Sequence, residues 1–285
     1  MNTLPYTERS NCLTEDIDVA EPQGIVRLLR QVDAQMFSGF DGKEGLLDVS
    51  TLDALCALAR KTSACIAQGG RVVLSGSGTS GRLAHLLSRT FNRILQQHKM
   101  APCFFYFTAG GDAALFRSTE APEDNWMAAR AALSGLLPAE GQPVVFVGIT
   151  CGLSAPAVAS QLDYCMQREN TTTALLGFSP PELARRNPIE GWDKSFYDVV
   201  QAMLKRASPP DIHHSSNSNS SCILITPVVG PEAITGSTRM KGGSATKIAL
   251  EVAFTSALSM LLTGQGPTRE SIFGLLRQYE VVLLF

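Results

Sequence analysis

Charge of one sign is what this chain most plainly lacks. Its 24 lysines and arginines face 26 aspartates and glutamates, a net charge of −2. That balance gives no whole-chain attraction to nucleic acid or to an anionic membrane, so an anion site has to be built locally. Long apolar runs are missing too, and the longest fall short of a membrane span. The N-terminal MNTLPYTERSNCLTED has no apolar core of the kind a secretory signal needs. The seven cysteines (Cys12, Cys56, Cys65, Cys103, Cys151, Cys165 and Cys222) include no C-x-x-C pair and no zinc-type spacing. No metal site and no cofactor is therefore expected. Most of these cysteines stand in apolar surroundings and read as small hydrophobes in a reducing compartment. No internal repeat is found.

What is present is a globular composition. With 285 residues, 45% hydrophobic and 18% charged, the chain can bury a sizeable core in one large domain or two smaller ones. The first twenty or so residues are polar and read as loosely ordered. Residues 24–37 and 50–67 carry apolar spacing near 3.6 and predict helices, the second capped by Ser50 or Thr51. After that the rhythm changes. Short apolar runs at 71–75, 103–108, 144–149, 173–178 and 222–226 alternate with helical stretches at 80–97, 124–136 and 155–168. Such alternation predicts an α/β fold, a flavodoxin-like five-stranded parallel sheet flanked by helices, with helices ahead of it at the N-terminus. Residues 207–221, ASPPDIHHSSNSNSS, read as a polar surface loop in which His213 and His214 are solvated rather than metal ligands. A long helix from about Met240 to Leu262 and another start at SIFGLLRQYE close the pattern. The chain stops at VVLLF, an apolar end expected of a cut or shortened product. The expected boundaries are 1–49 for a tail and helix, 50–263 for the α/β domain, and 264–285 for a truncated terminal segment.

The loop LSGSGTSGRL, residues 74–83, sits where such folds bind ligands, beyond the carboxyl end of a strand and before a helix. Its glycines at 76, 78 and 81 match a dinucleotide fingerprint, which is weak by itself. A phosphate loop of the nucleotide-triphosphatase kind needs Gly-Lys-Ser/Thr, and here the residues are Gly81-Arg82-Leu83. A dinucleotide site needs an acid beyond the second strand, and Asp112 is set apart from that strand by a glycine-rich gap. The density of hydroxyls points instead to a small phosphate monoester held by N–H and O–H groups at a helix N-terminus. A second loop, Thr150-Cys151-Gly152-Leu153-Ser154-Ala155-Pro156, repeats the theme, with Ser154 as the expected helix cap and Pro156 in the first turn. A third stretch, from Gly230 to Ser244, adds Ser237 and Arg239 before a helix. The plain alternative for each loop is an ordinary capped turn. On spacing alone, Glu123 merely compensates the dipole of the helix 124–136. Cys151 has no histidine near it in sequence to make it a nucleophile, and a backbone-type contact is the preferred reading there.

Taken together, GSGTSGRL, AGGD, STEAPED, GITCGLSAP and GPEAITGSTRMKGGSATK resemble the sugar isomerase (SIS) domain family. The likeness runs from about Arg9 to about Glu280. It is closest to the branch shared by bacterial N-acetylmuramic acid 6-phosphate etherases and animal glucokinase regulatory proteins, and ARRNPIEGW and GSTRMKGGSATKIALE favour the regulatory side. That resemblance implies an SIS fold and binding of sugar phosphates, fructose 6-phosphate and fructose 1-phosphate, by Gly78, Thr79, Ser80, Thr150, Cys151, Gly152 and Ser154. Ser237 and Arg239 are expected as further contacts from the third stretch, and the resemblance recasts Glu123 as a carboxylate for sugar hydroxyls. It implies inhibition of glucokinase, and a place in the cytoplasm and nucleus. The etherases carry a general acid/base glutamate on the helix after the first loop, and Thr90 stands at that place here. A hydroxyl has the wrong acidity for that proton transfer, so the resemblance implies a non-enzymatic regulator. An etherase-like lyase is the alternative. In the regulatory branch, a second SIS domain and a helical lid carry the glucokinase contact.

Overall fold

The computed structural model describes residues 4–117, 122–207, 222–236 and 239–284. Five strands form one sheet: β1 (Arg71–Gly76), β2 (Phe104–Thr108), β3 (Val144–Ile149), β4 (Thr171–Leu176) and β5 (Cys222–Ile225). Their order is β2-β1-β3-β4-β5, and every neighbouring pair is parallel. Among the described residues, the helices are α1 (Pro22–Ser38), α2 (Val49–Ala67), α3 (Thr79–Gln97), α4 (Ala113–Phe116), α5 (Trp126–Leu136), α6 (Pro156–Cys165), α7 (Phe196–Ala207), α8 (Lys241–Thr263) and α9 (Arg269–Leu284).

The strands are largely buried on both faces, and the two-residue period of a strand divides their apolar side chains between two cores. Val72, Leu74, Val145, Val147, Ile149 and Ile225 face one core, closed by α1, α2, α3, α8 and α9. Val73, Val144, Phe146 and Leu175 face the other, closed by α5, α6 and α7. The chain runs from β1 outward to β2, then returns across the sheet to β3 beside β1. Hence α3 and α6, which follow the adjacent strands β1 and β3, lie on opposite faces. The crevice between their N-termini is the point where strand order reverses, the usual ligand position in such sheets.

Several expectations need correction. The N-terminal residues are not loose: 3₁₀ turns at Tyr6–Glu8, Cys12–Thr14 and Ile17–Val19 lie against the body. Buried Asn11 donates from Nδ2 to Pro231 O (3.0 Å), and Thr14 Oγ1 donates to Ala233 O (2.7 Å). Polarity misleads here because these side chains are satisfied by backbone more than two hundred residues away. The N-cap of α2 is Asp48, not Ser50 or Thr51; the Thr51 hydroxyl instead donates to Gly45 O at 3.0 Å. Ala155, not Ser154, is the N-cap of α6. β4 starts and ends two residues earlier than expected, and α7 was not anticipated. α8 is long and apolar enough by composition to cross a membrane, contrary to the expectation that no run reaches that length. Most of it is buried against the sheet, α2, α3 and α9. The His213–His214 pair and Ser237 lie outside the described residues.

Candidate functional site

The first loop is shaped by its three glycines. Gly78 has φ +55°, a conformation that L side chains rarely adopt. Gly81 lets α3 touch the sheet: a Cβ there would fall 2.2 Å from Thr108 Oγ1 and 2.9 Å from Gly76 O. One at Gly76 would meet Ser80 at 2.7 Å. The third glycine therefore serves helix–strand packing. No side chain caps α3, so its leading N–H groups and positive dipole end face the crevice. Ser77 Oγ is buried with no partner. The acid expected of a dinucleotide site is already engaged, because Asp112 Oδ1 accepts from the Tyr106 hydroxyl at 2.7 Å.

The second loop turns sharply at Leu153, a bulky residue in left-handed backbone (φ +54°). Its side chain is fully buried and fills the space over Gly177, where a Cβ would stand 2.4 Å from Leu153 Cδ2. Phe178 N donates to Cys151 O (2.9 Å) and Arg185 N to Leu153 O (3.0 Å), which pin the turn. The Ser80 and Thr246 side chains lie close enough to the Cys151 sulfur to act on it, so the two loops and α8 meet there. Burial pushes its thiol up to about 11. A buried, protonated thiol of this kind is not an activated nucleophile.

The third stretch behaves differently. The α8 N-terminus is already filled by a carboxylate: Lys241 N donates to Glu232 Oε2 (2.8 Å) and Gly242 N to Glu232 Oε1 (3.1 Å). Glu232 is buried, and so is Lys241, whose Nζ donates to Gln35 Oε1 at 2.7 Å. Burial lowers the Lys241 ammonium to about 8, against the opposing pull of Glu232 and Asp33. Arg239 points toward the crevice. It pairs with Glu8, donates to Thr7 O (3.3 Å), and has Cys151 and Glu232 within electrostatic reach.

Glu123 stands at the rim, and its main chain is tied to the second loop by Ala157 N donating to Glu123 O at 2.9 Å. Its side chain opens to solvent, yet partial desolvation raises its carboxyl above the usual range, with Asp124 adding to the rise. Arg239 and Arg185 pull the other way. The structure thus gathers Gly78, Thr79, Ser80, Thr150, Cys151, Gly152, Ser154, Glu123 and Arg239 around one crevice. It does not bring Thr90 there: that residue is eleven positions beyond Thr79 on α3, about 16 Å along the axis at 1.5 Å per residue. Thr90 lines a separate surface cavity with Arg89, Asn92 and Arg93. Glu8 and Arg185 were not anticipated. They line a cavity of about 490 Å³ beside the second loop, together with Ser154 and Arg186. Hydroxyls, free N–H groups and a guanidinium suit an oxyanion, and a rim carboxyl suits hydroxyl groups next to it.

A parallel sheet with two hydroxyl-bearing loops at its switch point fits an SIS domain, and the sequence relatives point to the same class. A family model described as the glucokinase regulatory protein N-terminal SIS domain matches residues 55–166. The human glucokinase regulatory protein is 37% identical over 291 residues, 97% of this chain and 44% of that protein. The Xenopus laevis protein of the same name is 38% identical over 286 residues. N-acetylmuramic acid 6-phosphate etherase 2 of Vibrio cholerae is 30% identical over 262 residues, 90% of this chain and 68% of that enzyme. Among solved structures, a phosphoheptose isomerase from Francisella tularensis aligns with 82% of the chain at 11% identity and a TM-score of 0.45. The chain belongs to the SIS-domain family, in the branch that glucokinase regulatory proteins share with N-acetylmuramic acid 6-phosphate etherases. It spans less than half the length of the regulatory proteins it matches.

Proposed function

We propose that this chain is a phosphosugar-binding regulatory module rather than an enzyme, with fructose 6-phosphate and fructose 1-phosphate as ligands. One observation carries the reading: the uncapped α3 N-terminus, Ser80 and the second loop converge on one crevice, with Arg239 and Glu123 beside it. The phosphate would lie on Thr79, Ser80 and the Thr150–Ser154 loop, and Glu123 would accept from sugar hydroxyls. The regulatory partner is glucokinase, by kinship with proteins of that name, in the cytoplasm and nucleus. A ligand that favours one conformation of such a module shifts its population and hence its affinity for a partner. Thr90 supports a non-enzymatic role because its hydroxyl is a poor general acid where the etherases carry a carboxylate.

A second reading, an etherase-like lyase, draws on the raised carboxyl of Glu123, a property that suits a proton donor. Calorimetric titration with each fructose phosphate separates these readings from failure. Saturable binding that is weakened at least about tenfold by Ser80→Ala and by Glu123→Ala supports the module. Tenfold is about 1.4 kcal/mol, the scale of one charge-assisted hydrogen bond. Turnover of N-acetylmuramic acid 6-phosphate would establish the lyase instead. No binding of either sugar by the folded chain would refute an autonomous site.

A further inference from the structure

We propose that Glu8 is an internal competitor for the anion position of this site, so that a sugar phosphate binds by displacing its carboxylate from Arg239. The proposal rests on the phosphosugar reading above and concerns the same crevice. The N-terminal turn Tyr6–Glu8 is laid against the second loop. A Cβ at Gly152 would come within 3.2 Å of Glu8 Oε1 and 3.4 Å of Thr7 Oγ1. The Glu8 carboxylate pairs with the Arg239 guanidinium, and the backbone carbonyl of Thr7 accepts from the same group. A carboxylate therefore already rests on the loop and on the cation that an incoming phosphate requires. Two anions a few ångströms apart repel, so the two occupants exclude each other.

Besides Glu123 at the rim, Glu232 and Glu8 both act on Arg239, and their settings differ. Glu232 is 3% exposed and accepts two backbone N–H bonds from α8, the setting of a permanent cap. The Glu8 side chain is 40% exposed and rests on one guanidinium that is itself 27% exposed. Such a contact is exchangeable. Its neighbours hold the segment in place on either side: Tyr6 Oη donates to Asp41 Oδ2 at 3.0 Å, and Asn11 is bonded to Pro231. The carboxylate can thus swing out while the chain stays anchored. Thr7 Oγ1, buried and without a partner, lies beside Gly152 as a hydroxyl that a bound phosphate could engage.

Glu8→Gln keeps the side chain's size and removes its charge. It is expected to tighten fructose 6-phosphate about fivefold, the equivalent of about 1 kcal/mol at the upper end for a partly exposed pair. Inorganic phosphate should gain by the same factor, because the competition is for the anion position and not for the sugar. The test is calorimetry on the wild-type chain, Glu8→Gln and Ser80→Ala with both probes. Tighter binding of both probes by Glu8→Gln alone is the expected result. Equal binding by wild type and Glu8→Gln overturns the competitor and leaves the phosphosugar reading intact. Weaker binding by Glu8→Gln makes Glu8 a direct ligand contact and also overturns it. Absence of binding in all three overturns both.

Discussion

Replacing Lys241 by methionine probes the buried polar cluster behind the crevice, and its effect can be worked out in sign and size. In the folded chain burial holds the ammonium at about 8, against 10.5 for an unperturbed lysine. Between those two values the unfolded chain keeps a proton that the folded chain has released. Stability therefore rises with pH across that window. Below about pH 8 both states are charged, and the folded state carries the full desolvation cost. A gap of some 2.5 units at 1.36 kcal/mol each is about 3 kcal/mol. Lys241→Met keeps most of the stem and cannot titrate, so it lacks this dependence, while every other titrating group is common to both chains. Urea unfolding of both at about pH 7 and about pH 10 isolates the effect. Wild type should gain about 2–3 kcal/mol relative to the variant over that interval. Parallel curves, with the difference constant to within about 1 kcal/mol, would refute the reasoning and mean that water or a closer counter-charge solvates the ammonium.

Gly81→Ala should destabilise the chain by about 2 kcal/mol, since its Cβ would strike Thr108 and the carbonyl of Gly76; a urea midpoint equal to wild type would contradict that packing. Cys151 should resist iodoacetamide in the native state near pH 7 while the exposed Cys12 reacts, as peptide mass mapping would show. Glu232→Ala should strip the α8 cap and cost about 1–2 kcal/mol, read as faster amide exchange at Lys241 and Gly242; unchanged exchange would mean the cap is dispensable.

Much of the architecture was legible because its signals are local. Most strands are short apolar runs bounded by polar turns, and their alternation with helices predicts a parallel sheet. Even α7 carries its signal, with Phe196, Val199, Val200 and Met203 at helical spacing, although it was not read from the sequence. The first glycine loop was legible for the same reason, since positive φ at Gly78 and close approach at Gly76 and Gly81 demand glycine there. The rest of the crevice was not legible, because its meaning depends on partners remote in sequence. Nothing in TERSN marks Glu8 as the partner of Arg239, which lies 231 residues later. Glu232 looked like one more residue before a helix, and only the folded chain shows it closing that helix to other anions. Ser154 failed as a cap because the helix begins one residue further on, at Pro156, with Ala155 at the cap position.

The left-handed turn at Leu153 has one more consequence. A bulky residue in that backbone region costs roughly 1–3 kcal/mol locally, and the cost is met when the leucine side chain packs into the core over Gly177. The shape of the loop is thus decided during folding, before any ligand arrives. An arriving molecule need not freeze a mobile segment and loses little affinity to ordering it. The binding loop is in effect prepaid, and mutations deep beneath it at Gly177 should weaken a ligand they never touch.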